Sequence, residues 1–286
     1  MVFGIYWIPL RELEEAGFSG LWSTFVFNLI PLVCVIPLAL IRAGAISKNP
    51  RHFHICSALM GLGYVLYASS FLYTEVIRAI LLFYLMPIWG FLLARIVTGD
   101  AITPVRWLSM ALGLSGMLVI FGIENGIPLP HNVGDWMALL SGMLWAVASL
   151  MLLTDKQSAV RDYVVMFFFW ATVLSGVMAL VATQQGQLSG AQWDALPGAL
   201  YWVIPLAVIV LIPAAFATVF GPSHLNPGIV GLLFMTEISV GVTTAAWFAD
   251  EPFGMREIIG VALITLAGLA EPLYELRGRN RQELIQ

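Results

Sequence analysis

Apolar stretches of roughly twenty residues recur along almost the whole chain, separated by connections too short to hold a domain of their own. A helix of that length, rising 1.5 Å per residue, crosses a hydrocarbon core of about 30 Å, so the recurrence demands a bilayer. Composition agrees: 10% of the residues are charged, where a soluble domain carries about 25%. Barrel strands would be about ten residues of alternating polarity, whereas these runs are apolar on every side. The spacing predicts an all-α integral membrane protein with ten transmembrane helices, at 1–13, 19–42, 54–73, 75–97, 104–123, 134–154, 161–183, 199–220, 226–248 and 255–276. The first is short, and is expected either to be truncated at its start or to be a half-span.

Charge sets orientation. With the N-terminus in the cytoplasm, the inner connections carry Arg42, Lys48, Arg51, Arg95, Arg106, Lys156, Arg161, Arg277, Arg279 and Arg281, against Arg11, Arg78 and Arg256 outside. The positive-inside rule therefore places both termini in the cytoplasm and makes 277–286 a basic cytoplasmic tail. The apolar segment before Arg11 lacks a small-residue cleavage site, so no cleavable signal peptide is expected. A net charge of −4 without clustered Lys and Arg gives no surface for nucleic acid. Cys34 and Cys56 fall in or beside apolar runs and read as free packing thiols.

The run LLFMTEISVGVTTAAW, residues 232–247, holds a glutamate near its middle, and it has a twin. A shift of 151 residues lays Leu81, Leu82 and Phe83 on Leu232, Leu233 and Phe234, Gly90 on Gly241, Asp100 on Glu251, and Ala111 and Leu112 on Ala262 and Leu263. Glu237 falls opposite Met86, beside Pro87, so the twin has no acid there. The chain thus divides into halves at 1–123 and 134–276, of five spans each. Because five is odd, the second half enters from the opposite side, an inverted repeat of the kind that places a transporter's substrate site near the midplane.

Glu237 is the one ionisable residue that this reading places in the middle third of a span. A charge at that depth costs about 2.5–3.5 kcal/mol on insertion scales, so the group should face a cavity or hold a proton. It reads either as a proton-coupling or amine-binding group, or as a protonated acid that packs its helix through Thr236 or Ser239. Pro87 removes a helix hydrogen bond and should kink the fourth span, as a hinge or as plain structure. Aromatic residues gather at central depths, Trp7, Tyr64, Tyr67, Tyr84, Trp145 and Phe216 among them, and could stack on an organic solute or simply pack. Glu75 and Arg78, three apart, fit a possible external gate or a solvated surface pair. Asn28 suits an interhelical hydrogen bond. His52, His54, His131 and His224 lie in or beside loops and offer no convincing metal site. No Walker loop is present, and a membrane enzyme would want two poised groups at one depth, so neither ATP hydrolysis nor catalysis is expected, nor any cofactor.

The fourth-span run LLFYLMPIWGFLLARIVTGDAIT, followed by WLSMALGLSGMLVI, resembles the drug/metabolite transporter superfamily, specifically its ten-span EamA type. The second copy, LLFMTEISVGVTTAAWFADEPFG with IIGVALITLAGL, is similar, as is the sixth span GDWMALLSGMLWAVASLMLL with its Gly-Asp opening and central Trp-Ala. Where the family commonly reads Glu-Pro in the ninth span, this chain has Glu237 and Ile238. The resemblance implies a central cavity ringed by spans 1, 3, 4, 6, 8 and 9, with 5 and 10 outside. Tyr64, Tyr67, Tyr84 and Trp145 are therefore the favoured aromatic contacts. It further implies a secondary transporter of the bacterial cytoplasmic (inner) membrane, acting as a monomer or homodimer. Such a protein would move small organic metabolites such as amino acids or related amphipathic solutes, by export and alternating access; protons as the coupling partner follow from the first reading of Glu237, not from the resemblance. A sensor or assembly partner built on a transporter fold is the alternative.

Overall fold

The computed structural model describes residues 5–97, 103–121, 130–224, 237, 240, 241, 244, 246–248 and 253–283. Among them every regular element is helical. The chain runs through α1 (Trp7–Glu15), α2 (Leu21–Ile46), α3 (Arg51–Ser70), α4 (Val76–Phe83), α5 (Met86–Val97), α6 (Pro104–Phe121), α7 (Val133–Thr154) and α8 (Val160–Gln184). A single tight turn, Trp193–Ala195, leads into α9 (Leu196–Leu206) and α10 (Ile212–His224), and α11 (Met255–Glu283) closes the described chain. Five stretches are each long and apolar enough to cross a bilayer: Leu21–Ile46, Arg51–Ser70, Val133–Thr154, Val160–Gln184 and Trp193–Gly221. Of the expected ninth span, Glu237 and a few residues after it are described, and these are helical; Thr236 and Ser239 lie outside the described residues.

The surface is inverted relative to a soluble protein. Leu40, Ile41, Ile96 and Ile209 are more than 70% exposed, while Ser23, Thr24, Asn28, Ser57, Ser69, Ser141 and Ser175 are completely buried. Hydroxyls inside a bundle need acceptors, and they find them one turn back on their own helices: Ser57 donates to the Phe53 carbonyl at 2.8 Å and Ser175 to that of Ala171 at 2.6 Å. Thr24 and Ser69 join α2 to α3 at 3.0 Å. Asn28 corrects the sequence expectation. Its amide donates to the Thr24 carbonyl one turn back on its own helix at 2.8 Å, the local bond that such side chains readily make.

α3 packs on α7 and α8, α2 on α8, and α4 and α5 on α7, whereas α6 and α11 pack chiefly on each other. Close approach follows small residues. A Cβ on Gly142 of α7 would stand 2.5 Å from the Phe83 carbonyl, and one on Gly116 of α6 would stand 2.7 Å from that of Gly260 on α11.

Three expected elements differ. The fourth span is broken between α4 and α5 at Tyr84 and Leu85, ahead of Pro87, which has no N–H to give the carbonyl of Phe83. The eighth span widens over Ala207–Leu211 into a π turn, where the Ile212 N–H reaches the Ala207 carbonyl five residues back. Pro205 and Pro213 bracket that turn, each removing a donor from the ordinary ladder. Finally α11 runs to Glu283, through the stretch expected as a tail. Its Leu, Arg, Gln and Glu are good helix formers, and cations suit a helix C-terminus.

Candidate functional site: an aromatic cavity with one carboxylate

The breaks in the fourth and eighth spans bring side chains to one depth. Tyr64 and Tyr67 come from α3, one turn apart on the same face; Phe83 and Tyr84 come from the break after α4; Trp145 comes from the middle of α7, and Thr218 from α10 beyond the π turn. Together with Glu237 they line a cavity with about 360 Å³ of empty volume, its openings included. Glu237 is 6% exposed, and the Tyr84 hydroxyl donates to its Oε2 at 2.9 Å. The rings hold one another: Tyr67 lies 4.3 Å from Phe83 and tilted by 35°, Phe83 meets Tyr84 edge-on at 5.3 Å, and Tyr64 sits against Phe167 at 5.0 Å. Such offset and edge-to-face pairs fix ring orientation. The Thr218 hydroxyl donates to the Ala214 carbonyl at 2.8 Å.

Not every candidate joins them. Trp7 is buried beside the site without lining it. Its indole N–H reaches Thr244 Oγ1 at 3.4 Å, tying α1 to the segment that carries Glu237, and the Arg11 guanidinium stands 5.2 Å over its ring. Phe216 is 41% exposed and points away, because it sits two residues before Thr218 on α10 and so on another face. Pro87 lies in the first turn of α5, and its side chain is outside the described residues.

Glu75 and Arg78 do not pair. Glu75 precedes α4 with extended backbone angles, so the helical i, i+3 geometry does not reach it. Arg78 instead forks onto Asp135, at 3.3 Å through Nε and 2.5 Å through Nη2. Asp135, completely buried in the first turn of α7, also accepts from the Thr74 hydroxyl at 2.6 Å and the His131 N–H at 3.0 Å, and its own N–H is capped by Asn132 at 2.7 Å. A second pair closes the other end of the bundle. Arg42, near the end of α2, holds both oxygens of Asp162 in the first turn of α8 at 2.8 Å. The sequence reading counted Arg42 as a loop charge, noted Asp135 only as part of the Gly-Asp opening of the sixth span, and passed over Asp162. An acid in the first turn of an apolar helix, where the dipole favours it, was the signal that could have found them.

Asp155 ends α7 outside the membrane segment. Burial pushes its carboxyl up, but hydrogen bonds outweigh that and hold it at about 2; they come from Ser158, from the Tyr163 hydroxyl at 2.7 Å and from the Gln157 N–H at 2.8 Å.

Comparison with known proteins bears on this geometry. Residues 1–122 match the EamA-like transporter family. The match bears out the resemblance read from the fourth-span motif, and two relatives are named as transporters. An uncharacterized transporter YoaV of Bacillus subtilis (strain 168) is 21% identical over 187 residues, covering 63% of this chain and 62% of that protein. A riboflavin transporter of Rhizobium johnstonii (strain DSM 114642 / LMG 32736 / 3841) is 26% identical over 150 residues, covering 50% of this chain and 46% of that one. The chain thus spans 62% and 46% of the lengths of these two relatives. A solved structure titled only as a crystal structure of a protein superposes with a TM-score of 0.65 across 96% of both chains at 19% identity, a likeness of fold.

Proposed function

We propose that the chain is a secondary transporter that moves a small organic solute across the bacterial cytoplasmic membrane by alternating access. In this reading it has ten spans in two inverted halves, 1–123 and 134–276, with both termini cytoplasmic. The observation that carries the proposal is the cavity itself. A carboxylate, Glu237, lies among rings supplied by both the N-terminal and the C-terminal parts of the chain. Interleaved contributions of this kind are what a site alternately exposed by rocking halves requires. The names of the two relatives support transport, the riboflavin relative supports a solute with a flat ring, and export rests on the resemblance alone.

Glu237 serves as the coupling group, with the Tyr84 hydroxyl orienting it. The gate role moves from Glu75 to the pair of Arg78 and Asp135 at one end, and Arg42 with Asp162 does the same work at the other. Each pair bridges the halves, so opening an end separates charges that are well packed when it is closed.

The test is exchange of labelled amino acids, flavins and other small metabolites in proteoliposomes, with and without a pH gradient, for wild type and Glu237→Gln. A solute carried by the wild type, and driven by the gradient only when Glu237 is present, is the expected result. Gradient-driven transport unchanged in Glu237→Gln would make Glu237 a packing residue. No movement of any solute by folded, inserted protein would favour a sensor or assembly partner.

A further inference from the structure

We infer that the end of α11 holds the headgroup of an anionic phospholipid through Arg277 and Arg281. The inference takes 255–276, the tenth span of the reading above, as the part of α11 that lies in the bilayer. Its ground is a change of character along one stripe of that helix. Met255, Ile259, Ala262, Leu266 and Leu273 are all exposed, and their spacing of three, four or seven residues puts them on one face. The other side is the packed one. Ile264 and Ala267 are buried there, where a Cβ on Gly116 of α6 would stand 2.8 Å from Ile264 Cγ1 and one on Gly113 3.7 Å from the Ala267 Cβ.

From Met255 to Leu273 the helix rises about 27 Å, close to the thickness of a hydrocarbon core. Leu273 thus comes at its edge, and aromatic residues mark the same level. Tyr274 follows it, and stepping along the antiparallel pair from Gly113 and Ala267 brings Trp107 of α6 level with Leu273; both rings are exposed. Trp and Tyr favour that interfacial depth. The stripe then continues at Arg277 and Arg281, four and eight positions past Leu273 and so about one and two turns beyond the edge. The acids beyond the edge do not share it. Glu275 and Glu283 stand four residues before and after Arg279, on the other side of the helix, where the register matches them to that arginine. Because α11 runs on as helix to Glu283, Arg277 and Arg281 keep their register with the apolar stripe.

An apolar, lipid-facing stripe that becomes two arginines at headgroup depth fits a phospholipid. A guanidinium presents a fork of donors that matches phosphate oxygens, and the acyl chains of the same molecule can lie along Leu266 and Leu273. A soluble anion would meet the charges and leave the stripe unused. Phosphatidylcholine brings its own cation to the same place, so a lipid of net negative charge is the one selected.

Native mass spectrometry of the full chain in a non-ionic detergent tests this, by titration with phosphatidylglycerol or with phosphatidylcholine of the same acyl chains. Wild type should bind phosphatidylglycerol at least about tenfold more tightly. Arg277→Gln combined with Arg281→Gln should cut that preference below about threefold, whereas Arg279→Gln, on the other side of the helix, should leave it within about twofold. Glycerol 3-phosphate in large excess, a phosphate without chains, should not displace the lipid. Thermal unfolding establishes that each variant is folded. Equal binding of the two lipids by wild type overturns the proposal, as does an undiminished preference in the folded double variant. A loss in Arg279→Gln as large as in the double variant would replace this stripe with a diffuse charge effect, and displacement by glycerol 3-phosphate would assign the arginines to a soluble anion. If the double variant does not fold, Arg277→Gln and Arg281→Gln decide singly, each expected to lower the preference about threefold. None of these readouts depends on movement of a solute, so they hold whatever the exchange assay gives.

Discussion

Asp155 and Glu237 show how differently two acids are treated by their surroundings. Asp155 sits at a helix end, where backbone and side-chain donors surround it and hold its carboxyl at about 2, below the ordinary 3.8. A carboxyl whose folded value is depressed stabilises the fold above its unfolded value and loses that contribution as pH falls through the folded one. The window here runs from about pH 4 down to about pH 2. Thermal unfolding of wild type and Asp155→Asn should therefore differ most above pH 4 and converge as pH approaches 2. Curves that stay parallel across that range would show that the hydrogen bonds contribute nothing to stability. Glu237 lies instead among aromatic rings, and the Tyr84 hydroxyl donates to its Oε2 at 2.9 Å.

At the scale of elements, the fold depends on where helices can approach closely. Gly142 lets α7 lie against the carbonyl of Phe83, at the point where α4 stops and the cavity begins. A Cβ there would meet backbone at 2.5 Å, and backbone cannot swing aside as a flexible side chain can. Gly142→Ala should destabilise the protein by about 1–3 kcal/mol, the cost typical of overpacking, and should shift the break that presents Tyr84. Gly44 in α2 has nothing within 4 Å, so Gly44→Ala should be neutral or slightly stabilising, by up to about 1 kcal/mol from helix propensity. Chemical or thermal unfolding of both variants in the same lipid checks this, and equal effects would show that close approach at Gly142 is not what matters. Pro87 pointed from sequence to a break in the fourth span, and the break stands two to three residues before it. Pro205 and Pro213 carried an equally readable signal for the π turn.

For the whole molecule, Arg42 with Asp162 and Arg78 with Asp135 tie the first half of the chain to the second at opposite ends. Removing an arginine leaves a carboxylate buried with its partner lost, which costs about 3–5 kcal/mol, whereas replacing both members with apolar residues is often neutral. Arg42→Ala should therefore lower stability, and Arg42→Leu combined with Asp162→Leu should regain most of the loss. Thermal unfolding of single and double variants measures the cycle. No measurable loss in Arg42→Ala would show that the pair is too solvated to latch the two parts of the chain together.

The apolar spans and the helical class were legible in the sequence because each depends on the run of apolar residues along the chain, a local quantity that adds up residue by residue. The choice of Tyr84 as the donor to Glu237 was not, since the two are 153 positions apart. Nor were the ion pairs, 120 and 57 positions apart, or the outward turn of Phe216. A side chain's partner across a bundle follows from the rotation and offset of whole helices, and here those are set by Gly142, by the break before Pro87 and by the π turn. Only the packed structure decided which aromatic rings meet the carboxylate.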